Sequence, residues 1–322
     1  MAETTGIAWC HHTFNPWIGC RKVSPACAHC YAEWFVRNRM GKEGWGDAPR
    51  ILTVGPWREV RKWNRDAREA GERRRVFCAS LADVFENNVE PMVDFHGRTL
   101  HVNGQEFSSD PAHRAHGAVV LDDVRRRLWG VIRQCDSLDF LLLTKRPENI
   151  RWMLPDDLKG RHNVWLGTTV ESNKYLWRLN ELLAVPAAVH FVSAEPQLEE
   201  IDFRPWLEWS TYYGPVWIDW IITGGESKQG ADHEPRPYNV AWARSIVQQC
   251  REAHIPCFIK QLGSRPVVDL VGPSRVVECG RNLSTPVVRT FDVDLKHPKG
   301  GDPQEWPKDL RVREVPETGD QP

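Results

Sequence analysis

Short apolar segments that end in polar residues recur along the chain from residue 75 onward. Each holds four or five residues rich in Val, Ile, Leu and Phe, and then changes abruptly to Ser, Thr, Lys, Asp or Glu. Runs of this length with such flanks are typical of strands buried on both faces of a parallel sheet. The six segments are RVFCASLAD (75–83), DFLLLTKRPE (139–148), NVWLGTTVES (163–172), VHFVSAEPQ (189–197), DWIITGGES (219–227) and PCFIKQLG (256–263).

Two stretches between these segments have helical periodicity. Residues 119–135 place Val124 and Leu128 on one apolar face, and residues 237–253 begin with a proline, which favours a helix start. Strands that alternate with helices indicate right-handed βαβ units. The pattern therefore predicts an α/β fold, a partial (β/α) TIM-like barrel of about six or seven parallel strands.

The remaining segments predict additions to this barrel, which we assign to residues 1–263. An Asn-Gly pair between short alternating runs predicts an inserted hairpin within residues 94–117. Residues 264–322 are rich in Pro and Gly, and they predict an irregular C-terminal extension that packs Trp306 and Leu310 onto the barrel. Histidines in the insertion are interpreted as surface residues, with a second metal site as the alternative: His96, His101, His113 and His116.

Residues 36–75 are rich in arginine that alternates with acidic residues. This pattern favours a solvated helix with paired charges. The alternative is a basic edge beside the active-site mouth, at which Trp45, Trp57 or Trp63 would stack a nucleobase.

Composition narrows the function classes. The 322 residues carry a formal net charge of −1, which excludes a generally basic nucleic-acid coat but not a local basic groove. No apolar run approaches the roughly 18 residues that a membrane span needs. The N-terminal segment lacks the apolar core of a signal peptide, so we expect a reduced cytoplasmic protein, no membrane contact, and cysteines that are thiols or metal ligands.

Three of the nine cysteines are clustered in NPWIGCRKVSPACAHCYAE: Cys20, Cys27 and Cys30, spaced C-x6-C-x2-C. Three close thiolates suit a soft metal ion or an iron–sulfur cluster. A closed zinc site needs a fourth protein ligand. A [4Fe–4S] cluster held by three cysteines would instead leave one iron open for a small molecule. The residues available to complete a zinc site are Cys10, His11, His12 and His29.

Polar residues at the strand ends form a second candidate group. Because active sites of parallel barrels lie at the carboxyl ends of the strands, these side chains are expected to surround one mouth. The cysteine segment, within a cluster loop of residues 10–31, would open over the same mouth. The strand-end residues are Ser80, Asp83, Thr144, Lys145, Thr168, Glu171, Ser193, Glu195, Gly224, Gly225, Glu226 and Lys260.

The motif NPWIGC…CAHCYAE resembles the cluster loop of the radical S-adenosylmethionine superfamily, and it is most similar to the spore-photoproduct-lyase-like branch. The usual spacing there is C-x3-C-x2-C, so this chain has three more residues between its first two cysteines. Residues 1–263 also resemble a family of uncharacterised phage-associated proteins with a three-cysteine motif, through LLTKRPE, WLGTTVE, SAEP, TGGES and KQLG.

The resemblance implies that the three cysteines hold a [4Fe–4S] cluster whose fourth iron binds S-adenosylmethionine. Reduction by an external flavodoxin- or ferredoxin-like donor would cleave the cofactor to a 5′-deoxyadenosyl radical, which abstracts hydrogen from a substrate. By analogy, Tyr31 packs near the adenine, Glu195 or Glu226 binds ribose hydroxyls or the methionine ammonium, and the strand-end lysines bind a carboxylate or phosphate.

The resulting expectation is a radical S-adenosylmethionine enzyme that acts on a nucleobase in DNA or RNA, in repair or modification. The substrate class rests on the resemblance to the branch. Two alternatives stay open: a zinc-stabilised nucleic-acid-binding module without catalysis, and an interaction protein with a degenerate barrel.

Overall fold

The computed structural model describes residues 5–104, 106–207, 217–230, 233–278 and 281–317. The strands are β1 (His12–Thr13), β2 (Trp17–Ile18), β3 (Ile51–Leu52), β4 (Arg74–Cys78), β5 (His101–Asn103), β6 (Glu106–Ser108), β7 (Leu138–Thr144), β8 (Val164–Thr169), β9 (Val189–Ala194), β10 (Trp220–Gly224), β11 (Tyr238–Asn239), β12 (Cys257–Gln261), β13 (Pro266–Glu278) and β14 (Arg281–Asp292). The helices are α1 (Tyr31–Met40), α2 (Pro56–Ala70), α3 (Leu121–Gln134), α4 (Ile150–Met153), α5 (Trp177–Leu183) and α6 (Val240–Glu252).

Seven strands form one sheet in which every neighbouring pair is parallel. Their order, β1–β4–β7–β8–β9–β10–β12, follows the chain, and the sheet curls into a half-barrel. The register brings the carboxyl ends to one edge, with Cys78 paired to Leu142 and Thr144 paired to Thr168. The predicted partial barrel is confirmed, with seven strands. All six apolar segments are strands of this sheet, and the short β1 is the seventh.

Six strands of this sheet, all except β1, contribute alternately to two apolar layers. Phe140 and Leu142 of β7 belong to the outer layer, which also contains the buried faces of the flanking helices. Leu141 of the same strand belongs to an inner layer without helical residues. The inner layer is largely aromatic, comprising Trp9, Cys10, Phe77, Leu141, Trp165, Val189, Phe191, Trp220, Ile222 and Phe258. Burial on both faces is the reason why the strand segments are continuously apolar.

The two predicted helices form as α3 and α6, with their apolar faces buried. α6 begins three residues after the proline of the predicted segment, because the Asn239 side chain caps the helix by accepting a hydrogen bond from the Ala241 amide. Residues 56–70 form the solvated helix favoured by the charge pattern, α2. Its buried face includes Trp57 and Trp63, so neither tryptophan can stack on a base at the surface.

The inserted hairpin is confirmed, because β5 and β6 pair antiparallel on either side of the Asn-Gly turn. The histidines of this insertion are not among the groups of potential metal ligands found in the described residues. None of the helices in those residues combines the length and apolar character needed to cross a bilayer.

The C-terminal extension differs in part from the irregular chain that we predicted. Residues 266–278 and 281–292 form a long antiparallel ribbon of β13 and β14, in which Pro273 lies opposite Pro286. A two-stranded ribbon tolerates proline where the missing N–H would face outward, so the prolines did not prevent pairing. Residues 293–317 contain only short turns, and Trp306 and Leu310 are buried against the barrel as expected.

Gly167 of β8 provides a test of how tightly the inner apolar layer is packed. A β-carbon at this position would lie 2.3 Å from the ring of Phe191. We expect Gly167→Ala to lower the free energy of unfolding by roughly 1–3 kcal/mol, because a packed core cannot absorb the added methyl group. Urea denaturation followed by circular dichroism measures this change.

The matched control is Gly130→Ala in the middle of α3, where an added β-carbon meets no atom within 4 Å. This change should raise the free energy of unfolding by roughly 0.5–1 kcal/mol through helix propensity. Equal effects of the two substitutions would contradict the packing described for the inner layer.

Candidate functional site

The three clustered cysteines line one cavity of about 180 Å³ at the carboxyl ends of β4, β7 and β8. All three come from the part of the cluster loop that follows β2, and the strand ends supply the opposite wall. The polar and charged residues that line the cavity are Arg21 and Lys22 from the cluster loop, and Ser80, Asp83, Thr144, Lys145, Arg146 and Thr169 from the strand ends. The structure thus brings together the cysteines and four of the predicted strand-end residues, Ser80, Asp83, Thr144 and Lys145.

Backbone contacts fix the start of the cysteine segment. The amide of Cys20 donates to the Gly44 carbonyl (3.1 Å), and the Gly46 amide donates to the Cys20 carbonyl (3.0 Å). Gly19 has a φ of +117°, and a β-carbon there would lie 2.1 Å from the Gly44 oxygen. Only glycine fits this position, where two segments of backbone meet.

Two buried ion pairs connect this segment to the strands. Arg146, after β7, donates to Asp83 (2.9 Å), which also accepts a hydrogen bond from the Thr144 hydroxyl (2.7 Å). Arg50 forms a bidentate pair with Glu86, with N···O distances of 2.9 and 2.7 Å. All four charged side chains are less than a tenth exposed. Buried charges need such partners, so the pairs hold their segments in place.

Arg146 also reaches the cluster loop. It donates to the Arg21 carbonyl (2.6 Å), and its guanidinium lies 3.7 Å from the sulfur of Cys20. Its guanidinium therefore joins the cysteine segment to the carboxylate of Asp83.

The three thiols lie in different electrostatic environments. Burial raises the pKa of Cys20 to about 12, and Asp83 adds to that effect. Burial likewise raises the pKa of Cys30. Burial also opposes ionisation of Cys27, but the ammonium of Lys145 and hydrogen bonds outweigh it and lower the pKa of this thiol. Coordination to a metal would deprotonate all three, because a bound cation favours the thiolate.

None of the four candidates for a fourth zinc ligand lines the cavity. Cys10 belongs to the inner apolar layer, and His12 stacks on Trp63 with ring centroids 4.3 Å apart. His11 accepts a hydrogen bond from the Arg75 amide (2.8 Å). His29, between the second and third cysteines, points instead to a glutamate, with its Nδ1 2.7 Å from Glu226 Oε1.

The spacing of the sulfur atoms also bears on the metal. A single zinc ion with Zn–S bonds of about 2.3 Å would hold thiolates about 3.8 Å apart. Among the described residues, one group of three potential ligand atoms lies within 4.8 Å of one another, and it consists of His29, Glu226 and His233. The three cysteines do not form such a group. The sulfur atoms of Cys20, Cys27 and Cys30 are therefore not all within 4.8 Å of one another.

Several predicted residues lie away from the cavity. Thr168 is buried and donates to the Thr144 carbonyl (2.9 Å), whereas its neighbour Thr169 lines the cavity. Glu171 is fully buried in an ion pair with Arg178 (2.8 Å). Ser193 is also buried.

Tyr31 is 47% exposed at the start of α1 and does not line the cavity. Its ring stacks on Phe35, with centroids 5.8 Å apart. The Lys299 ammonium lies 5.4 Å from the ring centroid. A role for this tyrosine at the adenine stays a prediction.

The residues that follow β9, β10 and β12 form a separate group. Glu195 pairs with Lys260, so these two predicted ligands satisfy each other. A β-carbon on Gly224 would lie 3.1 Å from the Gln261 oxygen, and one on Gly225 would lie 2.5 Å from the Leu262 oxygen. The close approach that these glycines permit is therefore to the backbone at the end of β12.

Glu226 accepts hydrogen bonds from residues that the sequence did not single out. His233 Nε2 lies 2.7 Å from Oε1, and Arg236 Nε donates to Oε2 (2.6 Å). Burial opposes ionisation of this carboxyl, but hydrogen bonds from His233, Arg236 and His29 outweigh it and lower its pKa. Glu226 is thus an ionised carboxylate that is hydrogen-bonded to two imidazoles and one guanidinium.

Sequence reasoning missed Arg50, Glu86 and Arg146 near the cavity, and His233 and Arg236 beside Glu226. Arg146 directly follows Lys145 and lies at the same strand end, which was the available signal. The other four lie outside the strand ends, where no periodic pattern marks them. Trp45 also lines the cavity, so one of the three tryptophans considered for stacking is placed at the site.

Comparison with known proteins identifies a family and no characterised relative. A family model described as "Protein of unknown function (DUF5131)" matches residues 4–106 and 106–284. No curated protein and no solved structure matches the chain.

Removal of Arg146 tests the ion pair that supports the cysteine segment. We expect Arg146→Ala to lower the free energy of unfolding by roughly 3–5 kcal/mol, because it leaves the Asp83 carboxylate buried without its cation. Chemical denaturation measures the change. Arg133→Ala is the control, since the pair of Arg133 with Asp157 is solvent-exposed and should contribute little. Similar losses in both variants would contradict the role assigned to the buried pair.

Proposed function

The chain belongs to the family described as "Protein of unknown function (DUF5131)", and we propose that it is a radical S-adenosylmethionine enzyme. Cys20, Cys27 and Cys30 would hold a [4Fe–4S] cluster with one iron open to the cofactor. The observation that carries this proposal is the cavity, which the three thiols line without any of the four candidate fourth ligands. A closed structural zinc site needs four protein ligands.

The size of the cavity agrees with a cluster at its base. About 180 Å³ is less than the roughly 300 Å³ at which small-molecule pockets begin. S-adenosylmethionine would therefore extend from the cavity into the mouth of the half-barrel. When bound, the cluster and S-adenosylmethionine would supply reductive cleavage of the sulfonium C–S bond, with the electron taken from an external flavodoxin- or ferredoxin-like donor.

The side chains of the wall would orient the cofactor. Lys145 donates to the hydroxyl of Thr169 (3.3 Å), a neutral partner, so its ammonium can also bind a carboxylate. Ser80, held by Asn15 (3.1 Å), presents a hydroxyl to the same cavity. Beneath them, Phe77 lines the cavity and belongs to the inner apolar layer, which excludes water from below.

We further propose a nucleobase in DNA or RNA as the substrate. The cavity wall holds four basic residues, Arg21, Lys22, Lys145 and Arg146, and one acidic residue, Asp83. Arg21 and Lys22 are exposed and paired with Asp47 and Glu33, partners that a phosphate backbone could replace. Trp45 offers an indole at the same cavity. The net charge of −1 favours a small contact area on the nucleic acid over long duplex contact.

The metal content of the purified protein tests whether the three cysteines hold an iron–sulfur cluster. Protein purified without oxygen should contain about four iron atoms per chain and show the broad visible absorption of an iron–sulfur cluster. Cys27→Ala should lose the iron and the absorption, because it removes one of only three ligands. Cys135→Ala, which removes a thiol buried in the outer apolar layer, should keep both.

A colourless protein with one zinc and no iron would contradict the proposal. That result would support the alternative, a zinc-stabilised nucleic-acid-binding module without catalysis.

Cleavage of S-adenosylmethionine tests whether the protein uses this cofactor. The reduced protein should release 5′-deoxyadenosine from S-adenosylmethionine, measured by liquid chromatography. Lys145→Gln should weaken binding of S-adenosylmethionine roughly ten- to hundredfold, the effect of losing one charge-assisted hydrogen bond. Lys159→Gln is the control, because Lys159 pairs with exposed Asp156. Absence of 5′-deoxyadenosine with every reductant would leave a cluster protein without this activity and contradict the enzyme proposal.

A further inference from the structure

A cluster of two imidazoles and one carboxylate lies next to the cysteine segment and outside its cavity. His29 Nδ1 and His233 Nε2 each lie 2.7 Å from the same oxygen, Oε1 of Glu226. The three atoms lie within 4.8 Å of one another, and the two imidazole rings are in contact, with centroids 3.6 Å apart. Two ring nitrogens therefore meet at one carboxylate oxygen, which places three potential ligand atoms close together.

We propose that His29, Glu226 and His233 bind a divalent transition metal ion, separate from the three thiols. Two histidines and one glutamate are the protein ligands of catalytic zinc sites, and two histidines with one carboxylate hold non-haem iron. Such a set leaves coordination positions open to water or a small ligand. The proposal does not depend on an iron–sulfur cluster, since no ligand is shared.

The distances are compatible with an ion at this point. Zinc bound to nitrogen and oxygen at about 2.0–2.1 Å keeps neighbouring ligand atoms about 3.3 Å apart. Each ring nitrogen would therefore have to move by roughly half an ångström from Oε1. Both histidines can move by this amount, because their side chains are partly exposed, at 32% and 18%.

The Glu226 carboxylate is oriented so that a metal ion would bind only one of its two oxygens. Arg236 Nε donates to Oε2 (2.6 Å), which orients the group. Oε1, which the two imidazoles contact, would bind the ion once the ring nitrogens that face it carry no proton. Carboxylates that bind metals are commonly held by an outer partner in this way. Arg236 also donates to the Pro25 carbonyl (3.0 Å), so the same guanidinium contacts the cluster loop.

The backbone at Glu226 is held tightly. A β-carbon on Gly263, which has a φ of +83°, would lie 2.9 Å from the Glu226 carbonyl oxygen. The Ser264 amide donates to the same oxygen (2.8 Å). The carboxylate thus projects from a fixed segment after β10, whereas His29 comes from the cluster loop. An ion at this point would connect the cluster loop to the far side of the half-barrel.

Cobalt binding tests the proposal, with Cys27→Ala as the background so that the three thiols cannot form a complete site. After chelator treatment, this variant should bind one Co²⁺ and show weak d–d bands without the intense sulfur-to-cobalt bands of a thiolate site. Adding His233→Ala should weaken binding by at least a hundredfold, more than the roughly 10- to 100-fold loss expected for Arg236→Gln, which removes an outer partner. The matched control is His162→Ala, an exposed histidine, which should bind cobalt like the background.

The following results would contradict the proposed metal site. If the background variant binds no cobalt, or if the added His233→Ala leaves its affinity unchanged, the three residues form only a hydrogen-bonded cluster and the proposal is wrong. Circular dichroism and the melting temperature report folding. If the alanine variant unfolds, His233→Gln should retain the fold through its amide and still lose the cobalt. A cobalt-dependent rise in melting temperature should accompany binding and disappear with it.

Discussion

The buried pairs that Asp83 and Glu86 form with two arginines determine where the cysteines lie. Arg146 brings the end of β7 to the carboxylate after β4 and contacts the Arg21 carbonyl, while Arg50 ties the neighbouring segment to Glu86. Charges that are less than a tenth exposed are costly to leave unpaired. The cluster loop is therefore held to the strand ends by these buried charge pairs together with backbone contacts, in which β1 pairs with β4 and the Gly19 amide donates to the Leu81 carbonyl (2.9 Å).

The inner aromatic layer supplies the support beneath this arrangement. Trp220 contacts Trp9 and Trp165, with ring centroids 6.2 Å apart in both cases, and Phe191 fills the space that the absent side chain of Gly167 leaves. Packing at this density keeps the strands in register. The polar residues that follow the strands are thereby presented at one edge, and Phe77 of this layer lines the cavity from below.

The mouth of the half-barrel divides into two chemically different parts. On the side of β4, β7 and β8, three thiols share a cavity with basic residues, which suits a soft metal centre and an anionic ligand. On the side of β10, a carboxylate gathers two imidazoles and a guanidinium. His29 belongs to the second part although it lies between two cysteines of the first. The cluster loop therefore contributes residues to both parts.

The sequence by itself determined six strands of the main sheet, helices α3 and α6, the inserted hairpin and the three cysteines as a candidate ligand group. These features are local: burial on both faces appears as a continuous apolar run, and a close set of thiols is visible without the fold. The tertiary structure alone decided which polar residues meet. Asp83 and Arg146 are 63 positions apart, and His29 and Glu226 are 197 apart. Strand register and buried charge pairing set such contacts, and neither leaves a periodic signal along the chain. For that reason Thr168 and Glu171, predicted at the mouth, are buried elsewhere, while Arg146 lies at the centre of the site.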